Sequence, residues 1–185
     1  MGEIEVVLGE HFLEVEKQEF YRLKIQAEKA IAKVRDDRHL HLRLDAESNS
    51  IAVIVRHLSE NMLSRWTDFL TTDGEKPGRN RDAEFEPPED MTRAELIAAW
   101  EQGWATCLEA LDSLRPTNLR DTVRIRGEGS SVVEAIARQF SHYASHIGQI
   151  VFLAKHLEWE HWRSLSIPRG QSSGNWSYRG GPRKS

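Results

Sequence analysis

"QFSHYASHIGQIVFLAKHL", residues 139–157, closes the longest apolar-periodic run in the chain. Ile136, Phe140, Tyr143, Ile147, Ile150 and Ala154 recur at alternating three- and four-residue spacing, which predicts a helix with one buried stripe. His142 and His146 stand one turn apart, roughly 80–120° to one side of that stripe's centre on a helical wheel. Side chains four residues apart share a helix face, with Cβ atoms about 5–6 Å from each other. That is a workable bite for one metal ion. Ala135 and Leu153 bracket the flank, and Gln139 and Gln149 complete a polar patch of the kind that walls a pocket. Eight histidines in 185 residues give about a third of one such pair by chance, so the spacing alone decides little. A boundary histidine hydrogen-bonded to a carbonyl fits the same residues.

Working outward, the pattern predicts four long helices and no convincing sheet. The first spans about Val7 to Arg35, with Phe20, Leu23, Ala27, Ala30, Ile31 and Val34 at helical spacing. "RDDRHLHLRLDAESN" (35–49) breaks that period. Asn49 or Ser48 then caps a second helix through "SIAVIVRHLSENMLSRWTDFL" (50–70). "TTDGEKPGRNRDAEFEPPED" (71–90) is crowded with Gly, Pro and charge and reads as a long loop. Thr92 and Glu95 form a capping box that opens the third helix. Its buried stripe is Leu96, Trp100, Trp104, Cys107, Leu111 and Leu114, and Pro116 ends it. "DTVRIRG" (121–127) alternates briefly, as an extended segment or a small hairpin. Ser131 and Glu134 make a second capping box, opening the helix of the quoted stretch.

This gives an all-α four-helix bundle over residues 1–165, with long inter-helix loops, followed by a loosely packed basic tail over 166–185. Trp162, Leu165, Ile167 and Trp176 argue that part of the C-terminal region packs on the rest. Loops of such length in a compact domain are often functional.

The totals narrow the function classes. A net charge of −4 gives no global pull toward nucleic acid. No apolar run approaches the roughly 20 residues of a membrane span, and the acidic start lacks the features of a signal peptide. The single cysteine, Cys107, excludes an intrachain disulfide and sits on an apolar stripe, as a core residue does. The expectation is a cytoplasmic protein with no nucleic-acid or membrane partner, acting on a small molecule.

A metal needs a third ligand. His39 and His41 alternate in a loop, His156 and His161 lie at the far end of the fourth helix, and His11 opens the first. Only His57 sits in the middle of another helix, sharing a face with Asn61, Ser64 and Asp68. Periodicity leaves that face either solvated or turned inward. No H-E-x-x-H, CxxC, P-loop, GxGxxG or G-x-S-x-G motif is present, so a three-histidine metal site is the best enzymatic idea the residues carry.

"SHYASHIGQIVFLAKHL" (141–157), with its H-x-x-x-H-x-G-Q core, resembles the last bundle helix of the DinB/YfiT-like superfamily. "SNSIAVIVRHL" (48–58) resembles its second helix, and "RWTDFLTTDGEKPGRNRDAEF" (65–85) and "SLSIPRGQS" (164–172) resemble one branch with no assigned biochemical role. The resemblance runs from about Phe12 to Gln171. It implies a metal-binding four-helix bundle, usually a homodimer, with His57, His142 and His146 as ligands of a divalent ion, zinc or nickel. It also implies a transferase that uses a low-molecular-weight thiol. A thiol held by such an ion loses its proton and becomes the nucleophile. A non-catalytic metal-binding stress-response protein and a metal-dependent hydrolase are the alternatives. Gln149 and Asn61 are candidates to orient ligands, and Arg56, Arg65, Lys76, Arg79 and Arg81 to attract an anionic thiol. Metal loss is expected below about pH 6, past the intrinsic histidine pKa.

Overall fold

Both capping boxes form. In the computed structural model, which describes residues 2–86 and 91–174, Thr92 and Ser131 each accept a hydrogen bond from the backbone N–H three residues on. Glu95 and Glu134 reach back to the cap N–H groups. They start α5 (Arg93–Ser113) and α6 (Val132–Leu157). Before them come α1 (Glu3–Ile31), the short α2 (Arg38–His41), α3 (Ile51–Trp66) and the single turn α4 (Arg81–Glu84). A 3-10 turn over Pro116–Arg120 leads into strands β1 (Thr122–Ile125) and β2 (Glu128–Ser131).

The four long helices surround one core. α1 packs on α5 and α6, and α3 packs on the same two helices. Phe20, Trp66, Trp104 and Tyr143 meet edge to face at its centre, with Phe20 5.9 Å from both Trp66 and Tyr143. Cys107 is fully buried there. α3 and α5 approach closely at Gly103, where an added Cβ would lie 2.9 Å from the Cα of Ser59. Among the described residues no helix is long and apolar enough to cross a membrane.

Several boundaries differ from the sequence reading. α1 starts earlier and ends at Ile31, because tight turns from Lys33 to Ala30 and from Val34 to Ile31 replace the helical ladder. Val34 is still buried, so its helical spacing was the spacing of a packed turn. The cap of α3 is Ser50, whose hydroxyl accepts from Val53, and neither Asn49 nor Ser48. α3 stops at Trp66, and Asp68 adopts φ 49 in the turn that follows.

"DTVRIRG" is the small hairpin. Arg126 and Gly127 form its two-residue turn with φ of 57 and 78, so of the two readings of this segment the hairpin holds, as a sheet of two short strands. Trp162 and Leu165 pack against the core, with Lys33 Nζ 5.7 Å from the Trp162 ring centre. Trp176 lies outside the described residues.

Candidate metal centre

α3 is buried nearly all round, and that decides the orientation of His57. Its apolar side meets α5 and α6. On its polar side, His57 and Ser64 are covered by the segment between α3 and α5. Ser64 Oγ donates to the carbonyl of Gly74 at 2.8 Å and accepts from the N–H of Lys76. Arg65 also donates to Gly74 O. The same segment is pinned to the hairpin: Gly74 N donates to Arg124 O at 2.8 Å, and Asp73 accepts from the N–H groups of Arg126 and Gly127. Further along, Phe85 stacks on the His57 ring with centroids 4.7 Å apart.

Under this cover His57 meets the α6 pair. One nitrogen from each of His57, His142 and His146 lies within 4.8 Å of the other two, and the Nε2 atoms of His57 and His142 are 3.2 Å apart. Two nitrogens on one tetrahedral zinc at 2.0–2.1 Å stand roughly 3.3 Å apart. That pair is therefore already at ligand spacing.

The second ring nitrogens of His57 and His146 are each held by an acceptor, which leaves a lone pair facing inward. His57 Nδ1 is 2.7 Å from Glu84 Oε2, with both side chains buried. Burial alone would raise the Glu84 pKa, but hydrogen bonds from His57 and from Arg79 outweigh it and hold the carboxyl below its usual range. An ionised carboxylate only accepts, so Nδ1 carries the proton and Nε2 presents its lone pair. Arg79 grips Glu84 with two bonds, Nε to Oε1 at 2.5 Å and Nη2 to Oε2 at 2.9 Å. Gln149 Oε1 accepts from His146 Nδ1 at 3.0 Å, leaving Nε2 of His146 free in the same way.

Burial favours the neutral form of the two α6 imidazoles. Burial first, then the neighbouring His146, His57, Arg65 and Arg79, lower the His142 pKa to about 3. Burial likewise lowers that of His146, against the Gln149 hydrogen bond. Neutral imidazole is the form that binds metal, so three nitrogen donors of this kind fit a divalent ion of zinc or nickel type.

The other histidines are placed elsewhere. His39 bonds Glu158 at 2.9 Å, His41 bonds the carbonyl of Met91 at 2.9 Å, and His156 stacks on Phe152. His11 and His161 are exposed. Of the candidate orienting residues, Gln149 does contact a histidine. The Asn61 oxygen instead accepts from Tyr143 Oη at 3.1 Å, and that hydroxyl accepts from Trp66 Nε1 at 3.0 Å. This relay ties α3 to α6 one turn from the histidines. Glu84 was missed, since in "NRDAEFE" it looks like any charged loop residue.

A family described as "Protein of unknown function (DUF1572)" matches residues 7–171. The chain belongs to the DUF1572 family. The matched span contains the three histidines, Glu84, Arg79 and Gln149. No curated protein and no solved structure matches the chain.

Proposed function

We propose that this DUF1572 chain is a divalent-metal enzyme on a DinB/YfiT-like four-helix bundle, with His57, His142 and His146 holding zinc or nickel. Its most natural reaction is transfer of a low-molecular-weight thiol to an electrophilic small molecule. One observation carries the reading: three buried or half-buried imidazoles converge from two helices, and the outer nitrogens of two are already hydrogen-bonded to acceptors. That is how protein surroundings orient metal-bound histidines. A divalent ion bound by three neutral ligands supplies full Lewis acidity at an open position, enough to acidify a thiol or a water.

The chain's own residues do the rest. Glu84, gripped by Arg79, sets the tautomer and ring angle of His57, and Gln149 does so for His146. Phe85 covers the His57 ring and limits water on that side. Arg65 and Arg79 add positive potential beside the histidines, which favours a bound thiolate over the thiol. Glu128, in the wall of the cavity that His57 and His142 also line, supplies a carboxylate base, and so favours hydrolysis as a second reading.

Phe152 and Trp159 are large apolar side chains exposed on and just after α6, and they support a homodimer as part of the same proposal. Light scattering tests this, and a monomer at micromolar concentration counts against it. For the chemistry, metal-loaded protein is incubated with several small thiols and a chromogenic electrophile, and in parallel with activated esters. Thiol-dependent turnover that is lost in His142→Ala supports transfer. Ester turnover lost in Glu128→Gln supports hydrolysis. Full metal loading with neither activity leaves the non-catalytic metal-binding protein.

A further inference from the structure

The cavity beside the histidines has a volume of about 330 Å³, and its wall is strongly cationic. Arg65 of α3, Arg79 of the covering segment, Arg81 of α4, Arg126 of the hairpin turn and Arg138 of α6 all line it, with Glu128 the one carboxylate among the lining residues. Four separate parts of the fold and a connecting segment thus send guanidinium groups to one concave surface. A solvated charged face would not need to gather them there.

Their internal partners do not balance them. Arg79 is committed to Glu84 by two hydrogen bonds, and Arg65 to Glu75 at 2.9 Å. Glu75 also faces Arg79 at 3.5 Å and Arg126 at 3.3 Å, so one carboxylate is shared by three cations. Among the described residues Arg81 and Arg138 have no ion-pair partner and are exposed to the cavity mouth. Gln139, one turn before His142, supplies a second and independent sign. Its side chain is 4% exposed and lines the same cavity, yet its Oε1 has no hydrogen-bond partner among the described residues. A buried amide oxygen left unbonded costs free energy unless a ligand or water meets it.

We propose that this cavity is an oxyanion subsite, holding a phosphate or carboxylate group of the substrate between Arg81, Arg126 and Arg138, with Gln139 hydrogen-bonded to the part of the substrate nearer the histidines. Guanidinium groups bind both anions through paired, charge-assisted hydrogen bonds. The inference deepens the metal-enzyme reading and rests on it for the word substrate. It also revises the cations expected to attract an anion. Arg65 and Arg79 are buried against carboxylates, Arg56 and Lys76 do not line the cavity, and Arg138 and the exposed Arg126, which only shares Glu75, join Arg81.

The test is calorimetric titration of metal-loaded and chelator-stripped protein, at low ionic strength, with inorganic phosphate and separately with malonate. One saturable site per chain is expected for at least one anion. Arg81→Ala and Arg138→Ala should each weaken it about tenfold or more, while the exposed Arg115→Ala leaves it unchanged. Preference for phosphate or for malonate assigns the anionic group. Circular dichroism and metal content should be unchanged in the arginine variants, because among the described residues the ring nitrogens of His57 and His146 are hydrogen-bonded to Glu84 and Gln149 and not to these arginines. Absence of saturable binding by either anion overturns the proposal. So does binding that vanishes on chelation and ignores Arg81 and Arg138, which would make the anion a metal ligand only. Full metal loading without an anion site removes this inference and leaves the metal-enzyme reading. Arginine-dependent anion binding in a chain that takes up no metal does the reverse.

Discussion

Glu84 Oε2 accepts a 2.7 Å hydrogen bond from His57 Nδ1, and the two residues are each 2% exposed. Glu84 belongs to the turn that follows a charged loop, while His57 belongs to the helix beneath it. The contact therefore couples the position of the covering segment to the tautomer of a candidate ligand. Glu84→Gln keeps the size of the side chain but no longer enforces an N–H at Nδ1. Metal affinity should fall about 10–100-fold, read by competition with a chromophoric chelator. An unchanged affinity would mean that Glu84 serves packing alone.

The acid response follows from His142. Its pKa in the folded chain, about 3, lies below the ordinary histidine value because burial first, then His146, His57, Arg65 and Arg79, disfavour the charged form. Between about pH 6.5 and 3 the unfolded chain thus binds a proton that the folded chain does not. The associated stability is present above about pH 6.5 and is lost as pH falls through that window. The melting temperature of metal-free protein should drop between pH 7 and 5, and the drop should be smaller in His142→Ala. For the same reason the metal should be retained somewhat below pH 6, the value an unperturbed imidazole implies. An identical pH dependence in the variant would contradict this.

At Gly103 the backbones of α3 and α5 leave no room for a side chain. A methyl group there meets the Ser59 backbone at 2.9 Å and the Met62 methyl at 3.1 Å, and backbone cannot swing aside as a long side chain does. Gly103→Ala should cost about 1–3 kcal/mol by overpacking, measured by urea denaturation. Stabilisation, as helix propensity alone predicts, would show that the helices have room to separate.

The Trp66–Tyr143–Asn61 relay lies wholly inside the protein. Tyr143→Phe leaves an indole N–H and an amide oxygen unbonded in the core, at about 1–3 kcal/mol. Metal stoichiometry should survive at low temperature, since none of the three is among the candidate ligands. Loss of metal at full helicity would reassign the relay to the site.

How far the sequence could be read tracks how local the determinants are. α5 and α6 were legible because a capping box and an apolar stripe are both encoded within one element. The cap of α3 was missed by one or two residues because Ser48, Asn49 and Ser50 are all good caps, and burial of Ser50 among tertiary contacts selects it. The facing of His57 was not decidable from α3, whose polar stripe is identical whether water or another segment covers it. The cover comes from residues 74–85, and its anchors, Gly74 on Arg124 and Asp73 on the hairpin turn, join segments about fifty positions apart. Arg126 and Arg138 escaped notice for the same reason: a cavity wall assembled from five places has no spacing.

The central claim is that His57, His142 and His146 form one metal site, and elemental analysis of the wild type and single variants tests it most directly. The account predicts one divalent ion per chain, lost in His57→Ala, in His142→Ala and in His146→Ala with helical content intact, and retained in His156→Ala and His161→Ala. Full metal content in His57→Ala would contradict it.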